Sequence, residues 1–331
     1  MKHLDEKILA DIQSLIKDAE NVLITAHRDG DGDSIGTALA VRDYVSSLDK
    51  SAMVLQHGPV PNYLRFLAGS DGIADVSSDS ARVPDVAFDL TIALECPNLE
   101  RTGDVVKFIA PGAPIINIDH HTDNTGYGRV NWVDASASSV GEMVTYLFGR
   151  LNFPIEQDNA ECLYTAILTD TGRFHYPSAT PDTFRHVAKL VASGIDIQQI
   201  CDRIYFSRRP QSIKLTGLAL SQVDYAADGR VCVIPISHEM MKQAHAANGD
   251  TEGIVEYTLY GEKVELGALV RDNSEGGVKV SLRSRGAWDV ARVAAEFGGG
   301  GHLNAAGCIL DSTLEAATEI IKSRLLKVLG Q

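Results

Sequence analysis

The strongest constraint on the fold is an alternation of short apolar runs with helical patterns through the first part of the chain. Buried strands are indicated by NVLITAH, SAMVLQHG, DVAFDLTIALE and PIINIDHH, and helices by SIGTALAVRDYVSSL and LERTGDVVKFI. Strands that alternate with helices form a mostly parallel sheet covered on both faces. We therefore predict an α/β domain.

The length of the chain predicts two domains. A chain of 331 residues with 44% hydrophobic content can bury more than one core. Helical patterns dominate from about 139 to 222, and a smaller α+β pattern follows, with strands at VCVIPIS, VELGALVRD and VKVSLRSRG. We predict a first, α/β domain over 1–195, a helical connector over 196–222 and a smaller α+β domain over 223–331.

The overall charge and the N-terminal segment limit the partners and the compartment. A net charge of -14 argues against binding long duplex nucleic acid through a basic surface. The five cysteines are scattered, which favours reduced thiols. The first twenty residues indicate an amphipathic helix rather than a signal peptide, and no apolar run reaches the roughly 18 residues of a membrane span. We expect a soluble, cytoplasmic protein that does not bind membranes.

Polar residues with metal-ligand chemistry stand at the ends of four separate segments. His27 ends the first strand, Glu95 ends TIALE, Asp119-His120-His121 ends IINIDHH, and Asp170 ends AILTD. Proteins with parallel sheets bind their substrates and cofactors beyond the carboxyl ends of the strands. The sequence therefore predicts that these side chains meet at one edge.

The acidic stretch TAHRDGDGDSIG allows three interpretations: a calcium loop, a solvated turn, or part of a catalytic metal site. An EF-hand that begins at Asp29 would need Gly at the sixth position and Glu at the twelfth, where the chain has Ser34 and Ala40. A solvated turn does not explain His27 or the matching strand ends. We therefore favour a site for divalent cations; imidazole and carboxylate ligands suit manganese, with zinc, cobalt or magnesium as competitors.

These motifs resemble those of the DHH phosphoesterase family. The resemblance rests on the spacing His27-x-x-x-Asp31-x-Asp33 and on LECPNLER, IDHH and LTDTG, in that order. SLRSRG and GGGGHLNAAG resemble the DHH-associated domain of one branch of the family. Together they cover nearly the whole chain. The resemblance is greatest to the NrnA-type group of oligoribonucleases and 3'-phosphoadenosine 5'-phosphate phosphatases.

The resemblance implies two metal ions with defined ligands. One ion would be held by His27 and Asp31, and the other by Asp33, His120 and Asp170. Glu95 would bridge the two ions, although the family usually has Asp at this position. Asp119 would support a neighbouring ligand, and His121 would contact the scissile phosphate.

The second domain is expected to hold the distal end of the substrate. Consecutive glycines let a backbone approach an anion closely, although a glycine run alone also fits a flexible loop. Arg283 can bind a phosphate through two hydrogen bonds or stack on a base. The expected substrate-binding residues are Arg283, Ser281, Ser284, Gly300, Gly301, His302 and Asn304.

The function that the resemblance implies is manganese-dependent phosphohydrolysis of short substrates. These are RNA of a few nucleotides, linear dinucleotides such as pApA and pGpG, and 3'-phosphoadenosine 5'-phosphate, with nucleoside 5'-monophosphates as products. Two alternatives stay open: a cyclic di-AMP phosphodiesterase, and an inactive nucleotide-binding sensor in which Glu95 is the defect. A homodimer is also compatible with the sequence.

Overall fold

The chain forms two compact units. The computed structural model describes residues 4–79, 81–273 and 276–330, and the units comprise Met1–Ser207 and Arg208–Gln331. The predicted α/β class is confirmed. The division between the units falls inside the predicted connector, whose exact limits stay a prediction.

The first unit is built on a parallel sheet. Its strand order is β3-β2-β1-β4-β5-β6, and each neighbouring pair runs parallel. The strands are β1 (Asn21–Thr25), β2 (Ser51–Gln56), β3 (Ala74–Asp75), β4 (Leu90–Leu94), β5 (Ile115–Asp119) and β6 (Val130–Val133). The central strands are buried on both faces, which explains their continuous apolar sequences. The sequence did not indicate β3 or β6, which are short.

Helices cover this sheet. They are α1 (Glu6–Asp18), α2 (Gly32–Ser46), α3 (Val140–Leu151), α4 (Gln157–Asp170), α5 (Pro181–Ala192) and α6 (Ile197–Tyr205). The predicted N-terminal helix is confirmed as α1, whose buried stripe is Leu9, Ile12 and Ile16. The predicted helix at LERTGDVVKFI is instead a 3-10 helix, Leu99–Phe108, interrupted at Gly103, where φ is 61°. No helix in the described part of the chain is long and apolar enough to cross a membrane.

Glycines let α2 and α4 approach each other closely. A Cβ at Gly36 would lie 2.3 Å from the carbonyl oxygen of Cys162, and one at Gly32 would lie 2.3 Å from Thr169 Oγ1. Real Cβ atoms do not come this near to other heavy atoms. Close packing therefore requires glycine at both positions, and it brings the first turn of α2 beside the last turn of α4.

The second unit contains a mixed sheet with the strand order β11-β12-β10-β9-β8-β7. Its elements are α7 (Pro210–Leu220), β7 (Asp224–Ala226), β8 (Val231–Ile236), α8 (His238–Ala244), β9 (Leu266–Asp272), β10 (Val278–Ser284), α9 (Val290–Ala295), β11 (Gly300–His302), β12 (Ala305–Leu310) and α10 (Leu314–Val328). Strands β8 and β9 pair in parallel, and the other neighbours are antiparallel. The predicted smaller α+β unit is confirmed.

The two faces of β10 have different roles. Val278, Val280 and Leu282 are buried in the core that also contains residues of α9 and α10. Lys279, Ser281 and Arg283 alternate with them and are only partly buried. Because side chains alternate between faces along a strand, the polar set lies on the opposite face of the sheet.

The glycine run Gly298–Gly301 leads into β11 rather than forming only a loop. A Cβ at Gly299 would lie 2.1 Å from the carbonyl oxygen of Gly307, and Gly301 has φ of 143° and would place a Cβ 2.5 Å from the carbonyl oxygen of Ala305. Pairing of β11 with β12 therefore requires residues without a Cβ at Gly299 and Gly301. The sequence alone did not show this requirement. A ligand-binding role for the run stays a prediction.

We predict that Gly36→Ala destabilises the protein by about 1–3 kcal/mol, because the added methyl group meets the α4 backbone. Gly149→Ala is the matched control: this glycine lies in α3 with nothing within 4 Å of a Cβ, and alanine should stabilise the helix by roughly 0.5–1 kcal/mol. Urea unfolding of the two variants measures both values. Equal stability of the two would contradict the close α2–α4 contact.

A candidate metal centre at the edge of the parallel sheet

The predicted ligands of the first unit converge at the carboxyl edge of the sheet. His27 follows β1, Glu95 follows β4 and His120 follows β5. Helix α2 supplies Asp31 as its N-cap and Asp33 in its first turn, while Asp170 is the last residue of α4. The fold therefore brings together residues up to about 140 positions apart in sequence.

One group of ligand atoms consists of His27, Asp31 and Glu95. Their ligand atoms lie within 4.8 Å of one another. His27 Nε2 is 3.6 Å from Glu95 Oε2 and 4.0 Å from Asp31 Oδ2. Asp31 uses its other oxygen to accept hydrogen bonds from the backbone N–H groups of Asp33 and Ser34, which fixes the carboxylate at the start of α2.

A second group shares Glu95 and adds His120 and Asp170, again with ligand atoms within 4.8 Å of one another. His120 Nε2 is 3.3 Å from Asp170 Oδ2 and 3.9 Å from Asp33 Oδ2. His120 Nδ1 lies 3.2 Å from the carbonyl oxygen of Ala137, which orients Nε2 toward the carboxylates. Glu95 thus belongs to both groups, and its bridging of two ions stays a prediction.

The N-terminus of α3 holds the fully buried Asp33 carboxylate. Its Oδ2 accepts the Val140 N–H at 2.7 Å, and its Oδ1 accepts the Gly141 N–H at 2.8 Å and the Thr37 hydroxyl at 3.1 Å. A helix N-terminus favours a negative charge. A carboxylate oxygen has about two acceptor positions, so Oδ2 keeps one that could bind a cation.

The carboxylates repel one another in this buried setting. Burial and the nearby Asp170 charge raise the pKa of Asp33 to about 7, and burial raises the pKa of Asp170 to about 6. Burial and Asp31 raise the pKa of Glu95 well above its usual range. Burial alone would lower the pKa of His120, but Asp170, Asp33 and Glu95 raise it to about 9. The cluster of Asp33, Glu95, Asp170 and His120 therefore contains more acidic than basic groups.

The position of Asp170 adds to this excess of negative charge. It ends α4, where the helix dipole disfavours a carboxylate. Oxygen and imidazole donors in a cluster that lacks positive charge match the requirements of divalent cations. The residues present therefore fit a metal centre.

Asp119 supports both histidines that follow it. It accepts the His120 N–H at 2.9 Å, and its Oδ1 lies 2.8 Å from His121 Nδ1. Its other oxygen accepts a hydrogen bond from Asn124 at 2.6 Å. Burial would raise the pKa of Asp119, but the His121 hydrogen bond, the charges nearby and Asn124 hold it below its usual range. Asp119 therefore remains ionised behind the histidines.

Sequence reasoning missed three contributors to the site. The Ser34 hydroxyl donates to Glu95 Oε2 and lies 3.0 Å from His27 Nε2. Asn124 orients Asp119, and the N-terminus of α3 binds Asp33. Ser34 stands next to Asp33 and could have been suspected; the other two depend on loop and helix positions that no local motif indicates.

In the second unit, the predicted substrate-binding residues divide into two kinds. Ser284 and Asn304 are buried and hydrogen-bond to each other at 2.9 Å, and Ser284 also donates to the carbonyl oxygen of Trp288. These contacts support the fold. Arg283 is partly buried and its Nε donates to Glu256 at 2.9 Å. The remaining predicted residues, which are Ser281, Gly300, Gly301 and His302, are partly exposed.

Comparison with known proteins identifies both units. The model of the DHH family N-terminal domain matches residues 21–167, and that of the DHHA1 domain matches residues 228–327. The chain is also 31% identical over 311 residues to the bifunctional oligoribonuclease and PAP phosphatase NrnA of Thermus thermophilus, covering 92% of this chain and 90% of that protein. The chain belongs to the DHH family.

Two further proteins are similar over most of their length. A probable bifunctional oligoribonuclease and PAP phosphatase NrnA of Streptococcus mutans is 27% identical, over 89% of this chain and 91% of that protein. The crystal structure of an exopolyphosphatase-related protein from Bacteroides fragilis is 28% identical, with a TM-score of 0.89 over 99% of this chain and 98% of that one. The predicted enzyme class, a hydrolase of phosphate esters, is confirmed by this family membership. The roles of the individual site residues stay predictions.

We predict different effects for the two adjacent histidines. His120→Ala should lose bound metal, because its Nε2 lies among the carboxylates. His121→Ala should keep most of the metal and lose turnover, because the family resemblance assigns its ring to the scissile phosphate rather than to a metal ion. Elemental analysis after dialysis, paired with rates, separates the two effects. Equal metal loss in both variants would show that this division is wrong.

Proposed function

We propose that this protein is a manganese-dependent phosphohydrolase of short nucleotide substrates. The observation that carries the proposal is the buried cluster of carboxylates and imidazoles that shares Glu95 between two groups of ligand atoms. The relatives named as oligoribonucleases and PAP phosphatases support the substrate class. The substrates would be RNA of a few nucleotides, linear dinucleotides such as pApA and pGpG, and 3'-phosphoadenosine 5'-phosphate.

Each ligand residue is assigned a place in this proposal. His27 and Asp31 would hold one ion, Asp33, His120 and Asp170 the other, and Glu95 both. When bound, two divalent cations would lower the pKa of a water that acts as the nucleophile and would offset charge on the phosphoryl oxygens. The chain supplies the anionic frame: the N-terminus of α3 and the Ser34 hydroxyl keep Asp33 and Glu95 in place before any substrate arrives.

His121 would orient the substrate. Asp119 holds Nδ1 of the ring at 2.8 Å, and Asn124 in turn holds Asp119. We assign the contact with a phosphoryl oxygen to the other ring nitrogen, Nε2. A ring fixed in this way loses little freedom when it forms that contact, which favours the transition state.

A substrate panel with controlled metal tests the function. After chelation, hydrolysis of pApA, pGpG and 3'-phosphoadenosine 5'-phosphate should stop, and manganese should restore it better than calcium. Nucleoside 5'-monophosphate is the expected product by chromatography. Long RNA and cyclic di-AMP complete the panel. Full activity in excess chelator would contradict the proposed metal dependence. A preference for cyclic di-AMP would show that the substrate is a cyclic rather than a linear dinucleotide.

Glu95 distinguishes an enzyme from an inactive sensor. Glu95→Gln should lower kcat by at least about 10²-fold, because it removes a negative charge between the proposed cations. Glu95→Asp should retain substantial activity, since Asp is the usual family residue at this position. Steady-state kinetics with manganese measure both. If the parent is inert and Glu95→Asp creates activity, the sensor interpretation is correct.

Arg283 tests the proposed substrate role of the second unit. Arg283→Ala should raise KM for a dinucleotide by roughly 10- to 100-fold, the effect of one or two charge-assisted hydrogen bonds. Hydrolysis of bis-p-nitrophenyl phosphate, which has no distal nucleotide, should change little. A parallel loss on both substrates would mean that Arg283 serves the fold, for example through its ion pair with Glu256.

A further inference from the structure

Glu142 is a buried carboxylate outside the group of proposed metal ligands. It lies in the first turn of α3 with 1% of its surface exposed. Its Oε2 accepts the Ser138 N–H at 2.8 Å and the Thr183 hydroxyl at 3.2 Å. Its Oε1 is buried and has no hydrogen-bond partner in residues 4–79, 81–273 and 276–330.

Helix capping alone does not account for this geometry. Ser139-Val140-Gly141-Glu142 has the S-x-x-E pattern of a capping box, in which Glu would accept the N-cap N–H. Ser139 does cap the helix by accepting the Glu142 N–H at 3.0 Å. The Glu142 carboxylate, however, bonds to the N–H of Ser138, one residue earlier. It therefore fixes the segment that leads into α3.

That segment contacts two proposed ligands. The carbonyl oxygen of Ala137 lies 3.2 Å from His120 Nδ1. The N–H groups of Val140 and Gly141 bond both oxygens of Asp33. The residue that Glu142 holds, Ser138, stands between these contact points. Movement of Ser138 would displace the partners of both His120 and Asp33.

Stability is a weak reason for a carboxylate at this place. Glu142 has no ion pair with Lys or Arg in the described part of the chain. Its charge does act on His186, whose pKa is lowered by burial and raised by Glu142. The Ser138 hydroxyl and His186 Nδ1 are also buried without a hydrogen-bond partner there. Burying such groups costs free energy, and apolar packing is often as stable or more so. A role in positioning explains why a hydrogen-bond acceptor of this length occupies the site.

We propose that Glu142 is a positioning residue for the metal centre: through Ser138 it sets the Ala137 carbonyl and the first N–H groups of α3 against His120 and Asp33. Thr183, at the start of α5, completes the arrangement by donating to the same oxygen. The proposal rests on the proposed metal site for its effect on manganese. Its structural part, the fixing of the α3 N-terminus, does not depend on metal.

Three variants test the proposal. Glu142→Leu removes both hydrogen bonds, and Glu142→Gln keeps the acceptor oxygen and the size. Asn159→Ala is the matched control, since it breaks a partly buried polar contact, from the buried Asn159 to the exposed Asp43 at 2.6 Å, near the opposite end of α4 from Asp170. Should Glu142→Leu not fold, Thr183→Val removes one of the two hydrogen bonds and takes its place.

The first measurement is amide hydrogen exchange in the metal-free protein. In Glu142→Leu the Val140 and Gly141 amides should exchange at least about tenfold faster, because opening there costs less free energy. Amides in the middle of α3 should keep their rates relative to the control. The second measurement is manganese affinity by competition with a chelator. Glu142→Leu should lose about 10- to 100-fold, Glu142→Gln less than about threefold, and KM should change little while kcat falls.

Each result has a definite meaning. If Glu142→Leu matches Asn159→Ala in local exchange and in manganese affinity, Glu142 only packs the core and the proposal is wrong. If the parent protein neither binds manganese nor hydrolyses the substrates, the proposed function fails. The exchange of Val140 and Gly141 then still decides whether Glu142 fixes the α3 N-terminus.

Discussion

Mutual repulsion among buried carboxylates is the constraint around which the first unit is organised. Asp33, Glu95 and Asp170 lie in one cluster, and burial raises the pKa of each. Electrostatic repulsion among these carboxylates opposes the formation of the cluster. Its members come from separate elements, so the free energy that keeps them close must come from the packing of those elements. The contact of α2 with α4, which glycine makes possible at Gly36, provides part of it.

The positions of these carboxylates at helix termini determine how far backbone N–H groups and helix dipoles stabilise their negative charge. Asp31 and Asp33 stand at the start of α2, and Asp33 also faces the N-terminus of α3, so backbone N–H groups stabilise their charge. Asp170 stands at the end of α4, where the dipole acts against it. His120 lies between Asp33 and Asp170 but supplies at most one positive charge. The pKa values of Asp33, Glu95 and Asp170 are nevertheless all raised, so their negative charge is compensated only in part and a bound cation would stabilise all three carboxylates.

The sequence alone predicted the parallel sheet and the ends of its strands, because burial on both faces leaves continuous apolar runs that stop at polar residues. It predicted the convergence of His27, Glu95 and His120 for the same reason, whereas Asp170, which it placed at the same edge, ends a helix, α4. It did not predict the supporting contacts of Asn124 and Ser34, since a hydrogen bond across the fold leaves no periodic signal. The glycine run before His302 was ambiguous in sequence: close approach to a ligand and close approach to β12 demand the same residue type.

Glu95 stands where the resemblance led us to expect Asp, and local structure holds the longer side chain. Its backbone is in the left-handed region, with φ of 50°. For a non-glycine residue this backbone conformation is strained by about 1–3 kcal/mol, so contacts with neighbouring elements must stabilise it. The N–H of Glu95 bonds to the carbonyl oxygen of Ile118, and its Oε2 accepts the Ser34 hydroxyl. The backbone and the carboxylate are thus each fixed by a separate element, which places Oε2 within 3.6 Å of His27 Nε2 despite the longer side chain.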